Sequence, residues 1–596
     1  QPGPGEEPYV WNWDAPLLIS PHDNKTLYFA ADRVFKSTDR GNNWTVISEN
    51  MTRKIDRTTL PVMDKVWSMD AIAYNQSTTI YGNLVSLNES PKKKGLLYAG
   101  SDDGLIHVSD NDGGAWTTYK SFTGIPDKTY IQDLKPSLHD ENTVYAVFNN
   151  HKNGDFKPYV LKSTNKGASW TNAAGNLPES GAVFAIAEDH VNPNMLFAGT
   201  EFGVFFTLDG GKNWKQLSGG LPTIAIRDLD IQRRENDLVL ASFGRGFYIL
   251  DDYSPLRNMT EEELNKDAVI FPIKDGLLFI EAGIGGEGYK GSQYYGAKNP
   301  EIGAAITYYI KEAPKSIKAK RQEVEKDANP IKYPSAEALR AEDQEESNYL
   351  IFAISDAQGN EIRRISRAYS AGVQRFTWDG RVGSNMDLNL RSAPMTNAQG
   401  AFFAPPGAYS VSIYKSVNGK VDLLTGPQTF NIKHLNNNTF VAKDKAALAT
   451  FQKDVDETGR KLSAIDEYYT ETKTLVEHLK AAARNTAGAP MASLNTLRDL
   501  EVRLSKVDIE LHGDGSLKSR EMATLPSLQD RLGLTAWASW YNTVEPTGTQ
   551  KQDLQMVKDA LPALTTELVS IMDEAKTVKE TLYNAGAPYL RGDLPK

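Results

Sequence analysis

Four short segments of the chain share one spacing: Ser37-x-Asp39-x-Gly41-x-x-Trp44, Ser109-x-Asn111-x-Gly113-x-x-Trp116, Ser163-x-Asn165-x-Gly167-x-x-Trp170 and Thr207-x-Asp209-x-Gly211-x-x-Trp214. A recurrence at fixed offsets demands that each copy build the same local unit, so the first half of the chain must be a repeat architecture. The residue types describe a hairpin clamp. Ser/Thr and Asp/Asn side chains bond nearby backbone N–H groups, glycine accepts a positive φ, and tryptophan packs under the turn. Asn replaces Asp in two copies; that preserves a clamp but would abolish an acid, so the box residues read as structural.

Each box follows two short apolar strands, with Leu27 to Ala31, Leu97 to Gly100, Val144 to Phe148 and Leu196 to Gly199 as the first of each pair. Upstream, Pro21-His22-Asp23 before Thr26-Leu27-Tyr28 matches His139-Asp140 before Thr143-Val144-Tyr145, and Asp189 to Phe197 is a looser copy. His22 and His139 thus recur at a repeat turn, which suggests a structural role. A degenerate fifth copy, Ala241 to Asp252, loses the box glycine and tryptophan, and the array is expected to end there. The last two boxes lie 44 residues apart, and insertions near 83–95 and 149–157 lengthen the other gaps. About four strands in a ~45-residue repeat suit a propeller blade.

These boxes resemble those of sialidases, xyloglucanases and the sortilin family of sorting receptors, which share an Asp-box β-propeller. The whole chain is similar to large exported bacterial proteins with a sortilin-like propeller, often labelled glycosyl hydrolases and generally without an established activity. The resemblance implies that residues 10–257 are the later part of a larger propeller, with more blades upstream or in a separate chain.

The opening, residues 1–9, reads as a Pro/Gly linker. Gln1 has no basic or apolar leader behind it, so a removed targeting segment or missing upstream sequence is expected. Beyond Pro255, a glycine-interrupted stretch (Gly283, Gly285, Gly286, Gly288, Gly291) leads to alternating strands such as Ala305 to Ile310 and the hairpin Leu350 to Ser366. The segments Gly372 to Arg381 and Pro405 to Tyr414 resemble the Ig-like modules of flagellar hook-capping proteins and many secreted bacterial enzymes. Residues 258–435 are therefore expected to form an Ig-like β-sandwich, with a charged excursion at 311–346. From 442 to 596 apolar residues fall at helical spacing, which predicts a bundle of four helices near 442–485, 491–512, 525–542 and 548–585. The expected fold class is mainly β with a C-terminal α region.

Composition excludes several functions. At 596 residues, three or so domains are expected. The absence of cysteine removes disulfides, thiolate metal sites and cysteine nucleophiles. A formal charge of −10 spread along the chain argues against nucleic acid as a partner. No apolar run is long enough to cross a membrane as a helix. No His-Glu-x-x-His, Walker or Gly-x-Ser-x-Gly motif is present, so no cofactor and no metal is expected. Asp110-Asn111-Asp112-Gly113 superficially suggests a calcium loop, but position 12 of that loop would be Ser121 rather than a bidentate glutamate.

If each blade runs antiparallel, any site should face away from the boxes. That face is expected to carry Asp32, Asp102, Asp103, Glu201 and Arg245 on turns, with Trp67, Asp70, Tyr130 and Arg227 at the starts of inner strands. Aromatics that stack on sugars beside carboxylates that accept from hydroxyls suit a carbohydrate surface. Asp70 with Asp103 or Glu201 are the candidate catalytic pair, and Trp67, Asp102, Tyr130, Arg227 and Arg245 the candidate ligand-binding residues. The arginine triad of a sialidase cannot be assigned. Two functions follow: an extracytoplasmic binding or scaffolding subunit recognising a protein, peptide or glycan, and a glycoside hydrolase using the same face. Binding is the main reading, because no catalytic constellation is legible. Its expected partner is another polypeptide, either the N-terminal part of the same propeller or an envelope complex.

Overall fold

The computed structural model describes every residue except 1, 73, 75–79, 280–298, 384–399, 436–439, 541, 591–592 and 595–596. The stretch from Gly283 to Gly291 therefore lies outside the described residues. The chain forms two compact units, Gln1–Thr260 and Glu261–Lys596. It is mainly β with a C-terminal α region.

The first unit is a run of five antiparallel sheets in chain order. Sheet 1 is β1 (Leu17–Ile19), β2 (Leu27–Ala30), β3 (Val34–Ser37) and β4 (Thr45–Val46). Sheet 2 is β5 (Leu84–Glu89), β6 (Leu97–Ser101), β7 (Ile106–Ser109) and β8 (Thr117–Tyr119). Sheet 3 holds β9 (Tyr130–Pro136), β10 (Val144–Asn149), β11 (Tyr159–Ser163) and β12 (Thr171–Asn172). Sheet 4 holds β13 (Val183–Glu188), β14 (Leu196–Thr200), β15 (Gly203–Thr207) and β16 (Trp214–Leu217). Sheet 5 has only β17 (Ile226–Gln232), β18 (Asp237–Ser242) and β19 (Phe247–Leu250). Neighbouring sheets pack through their first strands, so those strands lie inside and the array is that of propeller blades. Middle strands such as β6, β10 and β14 are buried along their whole length, as sheets covered on both faces require.

The boxes join the third and fourth strands of sheets 1 to 4. Each Ser/Thr hydroxyl accepts from the box glycine N–H, at 2.8 Å for Gly41, 2.9 Å for Gly113, 2.8 Å for Gly167 and 3.3 Å for Gly211. The same hydroxyl donates to the Oδ1 of Asp39, Asn111, Asn165 or Asp209. That Oδ1 in turn accepts the backbone N–H four residues on. A carbonyl oxygen serves as well as a carboxylate here, which explains the Asn copies.

The boxes also couple sheets. Trp116 Nε1 donates to the Ile47 carbonyl of sheet 1 (2.9 Å), and Trp214 Nε1 to the Ala173 carbonyl of sheet 3 (3.1 Å). The recurring histidines do the same: His22 Nε2 donates to the Ser90 carbonyl at 2.8 Å and His139 Nε2 to the Asp189 carbonyl at 2.7 Å. Asp110 and Asp112 form intersheet ion pairs, Asp110 with Lys166 and Asp112 with Lys36. Among the described residues no group of three or more acidic or histidine side chains is placed to hold a metal ion.

In the second unit, one five-stranded sheet runs in the order Gly276–Leu278, Lys420–His434, Gly407–Val417, Tyr349–Asp356, Glu361–Ala368, and a three-stranded sheet runs Ala268–Ile270, Ala304–Ile310, Gly372–Trp378. Trp378, Phe352, Ile306 and Ile413 meet in their shared core. Two charged helices, Ile317–Glu325 and Ala336–Gln344, interrupt this part and are tied by Arg321 to Glu342. Helices Lys445–Asn485, Ala492–His512, Leu528–Trp540 and Gly548–Asn584 bury one leucine-rich core. None of the described helices is long and apolar enough to cross a membrane.

Candidate functional site

The inner strands begin on the face opposite the boxes, and there the first unit holds a basin of about 370 Å³. Its wall is assembled from three sheets and the entry segment. Asn12, Trp13 and Asp14 come from the segment before β1, Tyr81 from the approach to β5, and Asp102 from the β6–β7 turn. Tyr130 and Gln132 lie on β9, Asn149 ends β10, His151 and Lys152 sit in the turn that follows, and Arg227 starts β17.

Asp102 is nearly buried, and its carboxylate accepts the backbone N–H of Gly82 (3.1 Å) and of Asn83 (3.0 Å). Burial outweighs those bonds and pushes its carboxyl up to about 6, with the Asp103 charge adding to the rise. Burial also pushes the Tyr130 phenol up to about 12, helped by Asp102 and Asp14. Desolvation, with Lys152 and Arg227 nearby, holds His151 below the usual imidazole range, so it is neutral at pH 7. Two cations sit on aromatic faces: Lys152 lies 4.8 Å from the Tyr130 ring centre, and Arg227 4.0 Å from that of Phe184. The basin thus offers aromatic edges, amide groups, two cations and the carboxyls Asp14 and Asp102.

Of the expected site residues, Asp102, Tyr130 and Arg227 come together in this basin. The others do not line it. Asp103 points the other way, its Oδ1 accepting from Ser101 Oγ (2.5 Å) and its Oδ2 from Arg53 N (2.6 Å), so it braces its own turn. Glu201 occupies the β14–β15 turn, where its backbone N–H bonds the Ala182 carbonyl; its charge is felt at His151. Arg245 is exposed on the β18–β19 turn. Asp32 is buried by Asn50 and Arg33. Trp67 and Asp70 require a correction: they are not at the start of an inner strand. They lie in an exposed loop well before β5 begins at Leu84, with Trp67 Nε1 bonded to the Val62 carbonyl. Asn12 to Asp14, Tyr81, Gln132, Asn149, His151 and Lys152 were not anticipated. The signal for the last three was the lengthened gap at 149–157, whose residues include three asparagines, a histidine and two lysines beside a strand end.

Comparison with known proteins gives one stretch of sequence similarity and a set of distant structural neighbours. No family model matches the chain. A 144-residue stretch is 28% identical to a protein named xyloglucanase from Hypocrea jecorina, covering 22% of this chain and 17% of that protein. An ancestral GH74 enzyme matches with a TM-score of 0.30 and 12% identity, over 72% of this chain and 47% of that one. The GH74 xyloglucanase from Xanthomonas campestris matches with a TM-score of 0.32 and 12% identity, over 69% and 64%. The chain therefore spans less than two thirds of the length of each of these proteins.

Proposed function

We propose that the chain is the basin-bearing part of a glycoside hydrolase that acts on a polysaccharide, in preference to a purely binding or scaffolding subunit. The observation that carries this reading is the sequence similarity to a xyloglucanase. The chemistry of the basin supports it. Glycoside hydrolysis needs one carboxyl that donates a proton to the leaving oxygen and a second that acts as base or nucleophile. Asp102, raised to about 6 by burial, suits the donor, and Asp14, which lines the same basin and is exposed, suits the second part. Trp13, Tyr81 and Tyr130 offer faces on which sugar rings stack. The proposed substrate class is a β-linked glucan backbone of the xyloglucan kind. An extracytoplasmic location and the kinship with sortilin-like exported proteins belong to the same reading, since such a polymer lies outside the cell.

The test is release of reducing ends from xyloglucan and unbranched β-glucans by the purified protein, beside its Asp102→Asn and Asp14→Asn variants. Product formation that both substitutions abolish while oligosaccharide binding persists supports the reading. Binding without turnover by the unaltered protein returns the function to glycan recognition.

A further inference from the structure

The basin holds two cations for which a neutral glucan has no use. On the box side of the array, lysines are met by acids of a neighbouring sheet, Lys36 by Asp112 and Lys166 by Asp110. In the basin Lys152 and Arg227 are both exposed, and neither makes an ion pair with the described residues. Each lies instead against aromatic rings. The Lys152 ammonium stands 4.8 Å from the Tyr130 ring centre, and the Arg227 guanidinium 4.0 Å from that of Phe184 and 5.8 Å from that of Phe243. A guanidinium held on a ring face keeps N–H donors for a planar acceptor. The ring contacts also restrain two long side chains that would otherwise lose much rotamer freedom on gripping a ligand.

The two cations converge on His151. Lys152 follows it in the chain, and Phe184, which carries Arg227, meets the His151 ring edge-on with 6.4 Å between ring centres. Burial, then Lys152 and Arg227, hold His151 below the usual imidazole range against the opposite pull of Glu201. Its Nδ1 bonds Asn149 Oδ1, which also accepts the His151 backbone N–H. The proton of the neutral ring therefore sits on Nδ1, and Nε2 is left as an acceptor. This corner offers a planar fork of donors, a point charge and one neutral acceptor. Two like charges held near one another repel, and a neutral sugar does nothing to offset that. A carboxylate does, and a hydroxyl on the same sugar ring can donate to Nε2.

We infer that Lys152, Arg227 and His151 form a subsite for the carboxylate of a uronic acid residue, carried as a branch on the β-glucan. The inference rests on the hydrolase reading for the backbone and takes the acidic branch from the charges of the basin. Lys152 supplies attraction, and Arg227 supplies the bidentate geometry that a carboxylate matches. The subsite adjoins Asp102, whose anion the Lys152 ammonium favours. A carboxylate bound at Lys152 offsets that influence.

Two probes that differ at one carbon provide the test: a xyloglucan oligosaccharide with galactose-ended branches, and the same oligosaccharide with C6 of that galactose oxidised to the carboxylate. Calorimetric titration of the purified protein should give a Kd about tenfold lower for the oxidised probe, the low end for a hydrogen bond to a charged group. The preference should shrink at about 0.5 M salt, where exposed charges are screened. Lys152→Gln and Arg227→Gln should each bring the ratio of the two affinities toward one, with circular dichroism to check that the fold is kept. Lys215→Gln, which removes an exposed cation of β16 outside the basin, should leave the ratio as it is. Equal affinities for the two probes overturn the inference. So does a preference that survives both basin substitutions, and so does failure to bind either probe. Turnover of the same probes is scored separately. Preference for the oxidised probe without release of reducing ends supports the subsite and overturns the hydrolase reading; release from both probes at equal kcat/KM, with no preference in affinity, does the reverse.

Discussion

The guanidinium of Arg257 grips both oxygens of Asp189, Nε to Oδ2 at 2.9 Å and Nη2 to Oδ1 at 2.6 Å, across 68 residues of sequence. Asp189 is fully buried just beyond β13, and Arg257 lies in the turn that leaves sheet 5, so the pair fastens the end of the array to sheet 4. Burial alone would raise this carboxyl. The bonds from Arg257 and from the Tyr253 hydroxyl (2.5 Å) win and hold it below the usual carboxylate range. Removing one partner leaves a buried, uncompensated charge, so Arg257→Ala is expected to cost about 3–5 kcal/mol. The double variant Asp189→Asn, Arg257→Met should recover part of that loss. Denaturant unfolding followed by hydrogen exchange in β13 and β14 checks both; an Arg257→Ala midpoint equal to the parent's would refute the latch.

The box glycines should differ in cost by position. Gly211 has φ +97° and its missing Cβ would press into the Ala173 carbonyl, whereas Gly41, at φ +88°, has only its own Leu27 and Trp44 within van der Waals range. Left-handed backbone alone costs an L-residue about 1–2 kcal/mol, and a forced clash adds about 1–3 kcal/mol. Gly211→Ala should therefore destabilise clearly more than Gly41→Ala in the chain alone, as read from the two thermal midpoints. Trp214→Phe should likewise cost more than Trp44→Phe, since only Trp214 loses an intersheet bond.

His107 predicts a pH dependence. It is buried between Met51 and Thr118, with Nε2 donating to the Met51 carbonyl at 2.7 Å and Nδ1 accepting from Thr118 Oγ1 at 2.9 Å. Desolvation lowers it from 6.5 to about 4. A depressed histidine means that the unfolded chain binds a proton which the native one refuses. Its contribution is therefore intact above pH 6.5 and declines as pH falls toward 4, by about 3 kcal/mol in all at 1.36 kcal/mol per unit. Stability measured from pH 7 down to pH 4 should flatten in His107→Gln over that window relative to the parent.

The repeat was legible because a clamp needs particular side chains at fixed offsets from a glycine with positive φ, and no other solution fits Ser37 to Trp44. The coupling of sheets was only half legible. The matching His22 and His139 marked a turn, but their acceptors, Ser90 and Asp189, are 68 and 50 residues away. An exception within that alignment has a physical account. Leu138 N donates to Glu188 Oε2 at 2.6 Å, while the aligned residue in sheet 1 is Pro21, which has no N–H; buried Glu89 Oε2 correspondingly lacks a partner among the described residues. The site was least legible. Asp102 and Asp103 are adjacent and chemically alike, and only the turn geometry sends one to the basin and the other to Arg53. Trp67 and Asp70 misled because the link before β5 is long, and the turn signal that places the strand start at Leu84 is Gly82-Asn83, with Gly82 at φ +97°.

Asp102 carries the decisive kinetic prediction. A general acid must be protonated to act, and with its carboxyl raised to about 6 the protonated fraction falls tenfold for each pH unit above that value. Hydrolysis by the proposed enzyme should therefore decline on the alkaline side with a midpoint near pH 6. Asp102→Asn should lower kcat by about 10²–10⁴-fold, the usual worth of a positioned acid, with little change in KM. The two readouts must move together. If kcat falls in Asp102→Asn while the pH midpoint of the residual activity stays at 6, the titrating group is another one, and Asp102 only holds the backbone of Gly82 and Asn83 in place. Lys152→Ala separates the cases further: the ammonium favours the Asp102 anion, so its removal should shift the alkaline limb to higher pH if Asp102 is the acid.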